Sequence, residues 1–396
     1  MIRRLIDLTA LLLIGVLVFA WLRASDAAAR PQAPASFDWS AVSTRDLDIA
    51  SVFLAAKSEG VGRAMDSLSA FVKRDSTLEG DGHMIAHALG RFAIANNGHD
   101  PAVLRECRPT FEAGCYHGVL EGLLAAQQHV DPPAMAKVCT SFAHAGDARE
   151  LTMECAHGLG HGFTEAMGYD LARALGACDS FDSGDLRGEC HDGVFMENAV
   201  HGVGMKGMNV GDAALAGAAH EHMAMDMGSP APSTNSFRKS DVAFPCDSVA
   251  AQYQPSCWSY QPLVIARLRD YDLERTLKDC SLAPSASASN CYRGFGKQSQ
   301  AFFRWNRPKV IGTCTGAGAF QTDCFAGAVE ALVDRELSAR GAIDFCGAVP
   351  EGGRKKCFES VGVRIAPLHA DDKSAARECA MAGLPEYVDA CIRGTR

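Results

Sequence analysis

The sequence predicts an all-α fold: an α-solenoid of disulfide-stapled two-helix repeats, with a period of about 34 residues, behind an N-terminal signal or anchor helix. Three observations carry this expectation. The sixteen cysteines fall into close pairs, 107 with 115, 139 with 155, 178 with 190, 246 with 257, 280 with 291, 314 with 324, 346 with 357, and 379 with 391. The second members of the last five pairs, Cys257, Cys291, Cys324, Cys357 and Cys391, lie 34, 33, 33 and 34 residues apart, a fixed period that marks a two-helix repeat. Each first cysteine closes a helix-like stretch, as in 171–178, and a polar or Gly-rich turn precedes its partner, which opens the next helix. One bridge per hairpin contributes about 2–3 kcal/mol by restricting the unfolded chain. Such staples matter in an array that lacks a single globular core. Four-cysteine zinc sites would need a Cys-x2-Cys spacing, which the chain does not contain.

Taken in order, residues 1–24 read as a signal peptide or membrane anchor. Arg3 and Arg4 precede an apolar run from Leu8 to Leu22. The expectation is a retained helix in the inner membrane with those arginines on the cytoplasmic side. Cleavage at the small residues Ala27 to Ala29 is the alternative. Residues 25–44 form a linker. Both readings place the rest in the periplasm, where thiols pair and stay paired, and the lack of any Asn-x-Ser/Thr acceptor fits a bacterial envelope. Residues 45–200 hold His-bearing helical repeats. Residues 201–244 hold an interrupted His/Met-rich repeat and a loop, and residues 245–396 hold Cys-paired repeats without chemical signals.

From about Asp81 to Cys391 the spacing resembles that of cysteine-rich Sel1-like and tetratricopeptide-type solenoids of bacterial secreted proteins, which tie consecutive helices with close Cys pairs. The Leu-Gly-x-x-Tyr and Gly-x-Gly-Val signatures of Sel1 repeats are missing. The resemblance therefore implies architecture and no activity.

Internal repeats can be aligned on one another, with the second cysteine of each hairpin as position zero. Position +3 is Gly118, Gly158, Gly193, Gly294, Gly327 and Gly394, with Tyr260 and Ser360 as exceptions, which predicts close helix approach there. Position +2 is His117 and His157 in the first two rows, then Asp192, Ser259, Arg293, Ala326, Glu359 and Arg393. A cysteine-free row placed at Asp81, 34 residues before Cys115, puts His83 at +2 and His87 at +6; the next rows carry Glu121 and His161 at +6. Each pair is spaced i, i+4 on one helix face, and stacked helices lie about 8–10 Å apart. The imidazoles are thus expected to converge on a transition metal ion, Cu, Zn or Fe, held by His83, His87, His117, His157, His161 and His191. Glu121 or Glu197 would be ligand or general base, with an open position for water or dioxygen.

Two other readings of these histidines stay open. One is a groove that holds a peptide or partner protein, with hydrogen bonds or a pH response from the rings; the other is packing alone. The segment with His220, His222, Met223, Met225 and Met227 offers ligands for Cu(I), hence a copper storage or delivery alternative, or apolar filler. The net charge of -9 excludes a basic nucleic-acid surface. Gly-x-Ser-x-Gly, phosphate-loop, His-Glu-x-x-His and Cys-x-x-Cys-His motifs are missing, which excludes the chemistries they serve. Cysteine catalysis is disfavoured because every thiol has a partner in the pairing scheme. If the chain is an enzyme, metal-assisted chemistry is its class.

Overall fold

The computed structural model describes residues 44–75, 81–145, 149–203, 237–238, 240–369 and 371–396. It is all-helical: the described residues contain seventeen α-helices and no strand. In chain order they are α1 Thr44–Glu59, α2 Val61–Arg74, α3 Gly82–Asn96, α4 Gly114–Ala125, α5 Pro132–His144, α6 Arg149–Ala166, α7 Leu171–Cys178, α8 Gly184–Gly202 and α9 Gln254–Leu268. There follow α10 Leu273–Asp279, α11 Ala288–Phe302, α12 Arg307–Thr315, α13 Gln321–Glu336, α14 Arg340–Ala348, α15 Glu351–Ile365, α16 Asp372–Cys379 and α17 Pro385–Gly394. Residues from Asp48 onward form one unit, distinct from Met1–Leu47.

A recurring turn organises the chain. At Gly98-His99, Gly168-Tyr169, Asp270-Tyr271 and Arg304-Trp305 two successive residues adopt left-handed backbone angles, a conformation that stops a helix. The next residue, Asp100, Asp170, Asp272 or Asn306, accepts a hydrogen bond from a backbone N–H of the following short helical segment, an N-cap for that segment's unpaired amides. Asp131 and Asp371 cap α5 and α16 in the same way. Each short segment then delivers a cysteine to the start of the next long helix. All eight expected disulfides form, with Cα atoms 5.4–5.6 Å apart, and they place these residues in an oxidising, extracytoplasmic setting.

The long helices α3, α4, α6, α8, α9, α11, α13, α15 and α17 pack each against the next. Glycine sets the closeness of that packing. A Cβ on Gly118 would stand 1.9 Å from the His87 carbonyl oxygen, on Gly193 1.9 Å from that of His157, and on Gly327 1.8 Å from that of Arg293. Reciprocally, a Cβ on Gly90, Gly160 or Gly296 would stand 2.2, 2.1 or 1.9 Å from the carbonyl oxygen of the facing second cysteine. Backbone cannot yield at those distances, so only hydrogen fits. The opposite case is Gly176 in α7, whose added Cβ would meet nothing within 4 Å. Replacing a helix-interior glycine in open space by alanine removes an entropic cost. Gly176→Ala is therefore expected to stabilise the fold by about 0.5–1 kcal/mol, seen as a raised thermal midpoint; a lowered one would contradict the open placement of that face.

The same contacts correct the register of the cysteine-free row. Gly90 occupies the place of Gly160 and Gly296, and His87 the place of His157 and Arg293. Position zero in α3 is thus Ile85, one helical turn later than Asp81, and His87, not His83, is the +2 residue. A second pattern sits at +1, where Tyr116, Trp258, Tyr292, Phe325 and Phe358 are buried. Tyr292 stacks on Phe320 and Phe358 on Tyr387, each four residues before the next second cysteine.

No helix among the described residues is long and apolar enough to cross a membrane. The expected signal or anchor at 1–24, the linker through residue 43, and the His/Met segment from residue 204 to 236 lie outside the described residues.

Candidate metal centre

Five imidazoles carried by three neighbouring long helices meet at one place: His83 and His87 on α3, His117 on α4, and His157 and His161 on α6. The corrected register explains why. His87, His117 and His157 are equivalent +2 residues on successive helices, while His83 lies one turn before and His161 one turn after. The glycine contacts at Gly90 and Gly118 bring α3 and α4 near enough for the rings to touch.

Outer partners orient three of the rings. His83 donates from Nδ1 to the Phe111 carbonyl oxygen at 2.8 Å. His87 donates from Nδ1 to Glu121 at 3.1 Å, and His161 from Nδ1 to Glu197 at 3.0 Å. A neutral imidazole that donates from Nδ1 carries a lone pair on Nε2. The Nε2 atoms of His83 and His87 are nonetheless 3.0 Å apart, and those of His157 and His161 3.3 Å apart. Protonating His83 a second time would relieve the first contact, but burial, reinforced by His87, lowers its pKa to about 3. His117 and His157 are held well below the ordinary imidazole value by burial and by the surrounding rings.

His117 is the hub. Its ring centroid lies 5.6, 5.0, 5.0 and 4.4 Å from those of His83, His87, His157 and His161. Its Nδ1 approaches His87 Nε2 at 3.2 Å, while its buried Nε2 has no hydrogen-bond partner. Three sets of potential ligand atoms each fall within 4.8 Å of one another: His83, His87 and His117; His117, His157 and His161; and Glu121, His161 and Glu197. Metal–nitrogen bonds of about 2.0–2.1 Å place cis ligands about 2.9 Å apart at a right angle and about 3.3 Å apart at the tetrahedral angle. The observed nitrogen separations of 3.0, 3.2 and 3.3 Å are edges of that size.

The carboxylates expected as bases are occupied otherwise. Glu121 accepts from His87 and from Arg91 Nε at 2.8 Å, and Arg91 also reaches Glu165 at 2.7 Å. Burial alone would raise the Glu121 carboxyl, but His87 and Arg91 hold it well below the usual carboxylate range. Glu197 accepts from His161 and from the Tyr169 hydroxyl at 3.0 Å. Both fix ring orientation, the familiar task of an outer carboxylate at a histidine-bound metal.

His191 is not brought into the cluster. It occupies position +1, where other rows bury an aromatic ring, and a helix turns about 100° per residue away from +2. Its ring packs edge-on against Tyr253 at 4.8 Å, and its Nε2 faces Asp179 at 3.5 Å. It meets the residue four before the next second cysteine, as the +1 rings Tyr292 and Phe358 do, but edge-on where they stack.

Sequence reasoning passed over Arg91, Tyr169, Glu154 and Glu189. Glu154 faces His117 Nε2 at 3.9 Å and Glu189 faces His157 Nδ1 at 3.8 Å, with 19% and 35% of their side chains exposed. Enclosure by protein, with Asp192 and Glu154 beside it, pushes Glu189 up to about 8. A signal existed, since both residues immediately precede a second cysteine in successive rows. All sixteen cysteine sulfurs are in disulfides, so the cluster's donors are imidazole and carboxylate without thiolate.

No protein-family model, no curated protein and no solved structure matches the chain.

Proposed function

We propose that this protein is an extracytoplasmic, membrane-anchored helical solenoid whose buried histidine cluster binds a transition metal. One observation carries the reading. The Nε2 atoms of His83 and His87 sit 3.0 Å apart although both Nδ1 atoms are spent on Phe111 and Glu121. Two inward lone pairs at that distance repel one another unless a metal ion accepts both or a proton is shared between them, and burial opposes the proton on His83. Buried polar atoms ordinarily find partners, and the unpartnered Nε2 of His117 strengthens the case.

Imidazole and carboxylate donors without thiolate suit zinc, copper(II) or non-haem iron. Rings held in one tautomer by Glu121, Glu197 and a backbone carbonyl favour a resident ion over one handed on. If the centre is catalytic, Glu154 and Glu189 are better placed to move protons than Glu121 and Glu197, because they stand beside His117 and His157 with solvent access. A peptide or partner protein in the groove is the second reading.

Protein purified without an affinity tag is expected to contain zinc, copper or iron by elemental analysis. The double variant His157→Ala/His161→Ala should lose it, and the triple variant Met223→Leu/Met225→Leu/Met227→Leu should retain it. Metal retained by the first and lost from the second would move the site to the His/Met segment. Glu121→Gln keeps the shape but weakens acceptance from His87 and Arg91, and is expected to lower metal affinity about 10–100-fold. Unchanged affinity would show that ring orientation does not depend on Glu121.

A further inference from the structure

We infer that the centre is dinuclear, with His117 lying between two cations as a bridging imidazolate. This inference rests on the metal-binding reading above and goes beyond it in the number of ions and the role of one ring.

Five imidazoles are more than a single ion uses when each lone pair must point at it. The two nitrogens of one ring diverge and cannot serve the same ion, so His117 divides the cluster in two. On one side its Nδ1 stands 3.2 Å from His87 Nε2, which is itself 3.0 Å from His83 Nε2. These atoms form the first three-histidine set. On the other side its Nε2, buried and without a hydrogen-bond partner, points toward α6, where it faces Glu154 at 3.9 Å. Glu154 lies three residues before His157, on the same helix face. The Nε2 atoms of His157 and His161 lie 3.3 Å apart, their rings stack on that of His117, and with His117 they form the second set.

The helix register supports the division. His83 lies one turn before the +2 row and His161 one turn after it, so the two sets are offset diagonally with His117 at the middle level. Each set has its own outer carboxylate, Glu121 behind His87 and Glu197 behind His161. With metal–nitrogen bonds of about 2.0–2.1 Å on either side of one ring, the ions stand about 6 Å apart. Binding the second ion releases the remaining ring proton of His117 to solvent, since both nitrogens must then act as donors of electron pairs.

Stoichiometry tests this directly. Metal-free protein titrated with zinc, and separately with copper(II), is expected to bind two equivalents per chain. His83→Gln/His87→Gln and His157→Gln/His161→Gln should each retain one equivalent. The copper-loaded native protein should show an exchange-coupled paramagnetic resonance signal, and each double variant the signal of an isolated copper(II). One equivalent in the native protein, lost in both double variants, would overturn the dinuclear inference and leave the metal reading standing. No bound metal in the native protein would overturn both. Because the native count and its resonance signal need no substitution, a variant that fails to fold leaves the test intact.

Discussion

Gly118→Ala is expected to abolish high-affinity metal binding and to destabilise the fold by about 3 kcal/mol or more, although it changes no ligand. The added methyl would stand 1.9 Å from the His87 carbonyl oxygen and 2.7 Å from its carbonyl carbon. Both are backbone atoms in the middle of α3, and no rotamer change relieves them. The helices α3 and α4 must therefore separate by on the order of 1 Å to restore ordinary contact. His83 and His87 would then move away from His117, and His87 away from Glu121. A constellation displaced by that amount no longer matches a coordination sphere, which tolerates about 0.5 Å, so affinity should fall on the order of 100-fold. Thermal unfolding and chelator competition measure the two effects, with Gly176→Ala as the matched control. A Gly118→Ala protein with native stability and native metal content would sink the account of how these helices approach.

Complete reduction should have the other large effect. Eight bridges at about 2–3 kcal/mol each together restrict the unfolded chain by roughly 20 kcal/mol. Folded proteins keep a net stability of only about 5–15 kcal/mol. Even if half of the restriction is realised, little stability remains. Reduced and alkylated protein is expected to lose its cooperative thermal transition and most of its helical circular dichroism at 25 °C. A reduced chain that still melts cooperatively would show that packing between the long helices suffices without the bridges.

Much of this was legible before any coordinates. The disulfide pattern could be read because the cysteines come in twos at short range, where geometry leaves few alternatives. Helix contact at +3 could be read because glycine recurs where nothing else fits. The cluster could be read in outline because histidine appears at +2 only in early rows, so the fold itself does not require it. The cysteine-free row misled the alignment: a fixed period of 34 residues placed it at Asp81, whereas Gly90 and Gly118 align it at Ile85. The error of one turn left His83 and His87 on the correct face, and so did little harm to the choice of residues. His191 lies outside the cluster for a reason of angle, since +1 and +2 look in different directions on a helix. Arg91 was invisible because its role depends on neighbours from other helices, whereas Glu154 and Glu189 could have been picked out by their place immediately before a second cysteine.

Each bridge joins a cysteine to the very next one along the chain, and no link encloses another. Sixteen thiols admit an enormous number of wrong arrangements, yet here the correct one follows from a simple rule of succession. A polypeptide threading N-terminus first through an export channel presents its sulfurs in that order. An oxidase that couples each newcomer to its immediate predecessor would produce the native connectivity with no shuffling step, so maturation should proceed without a disulfide isomerase.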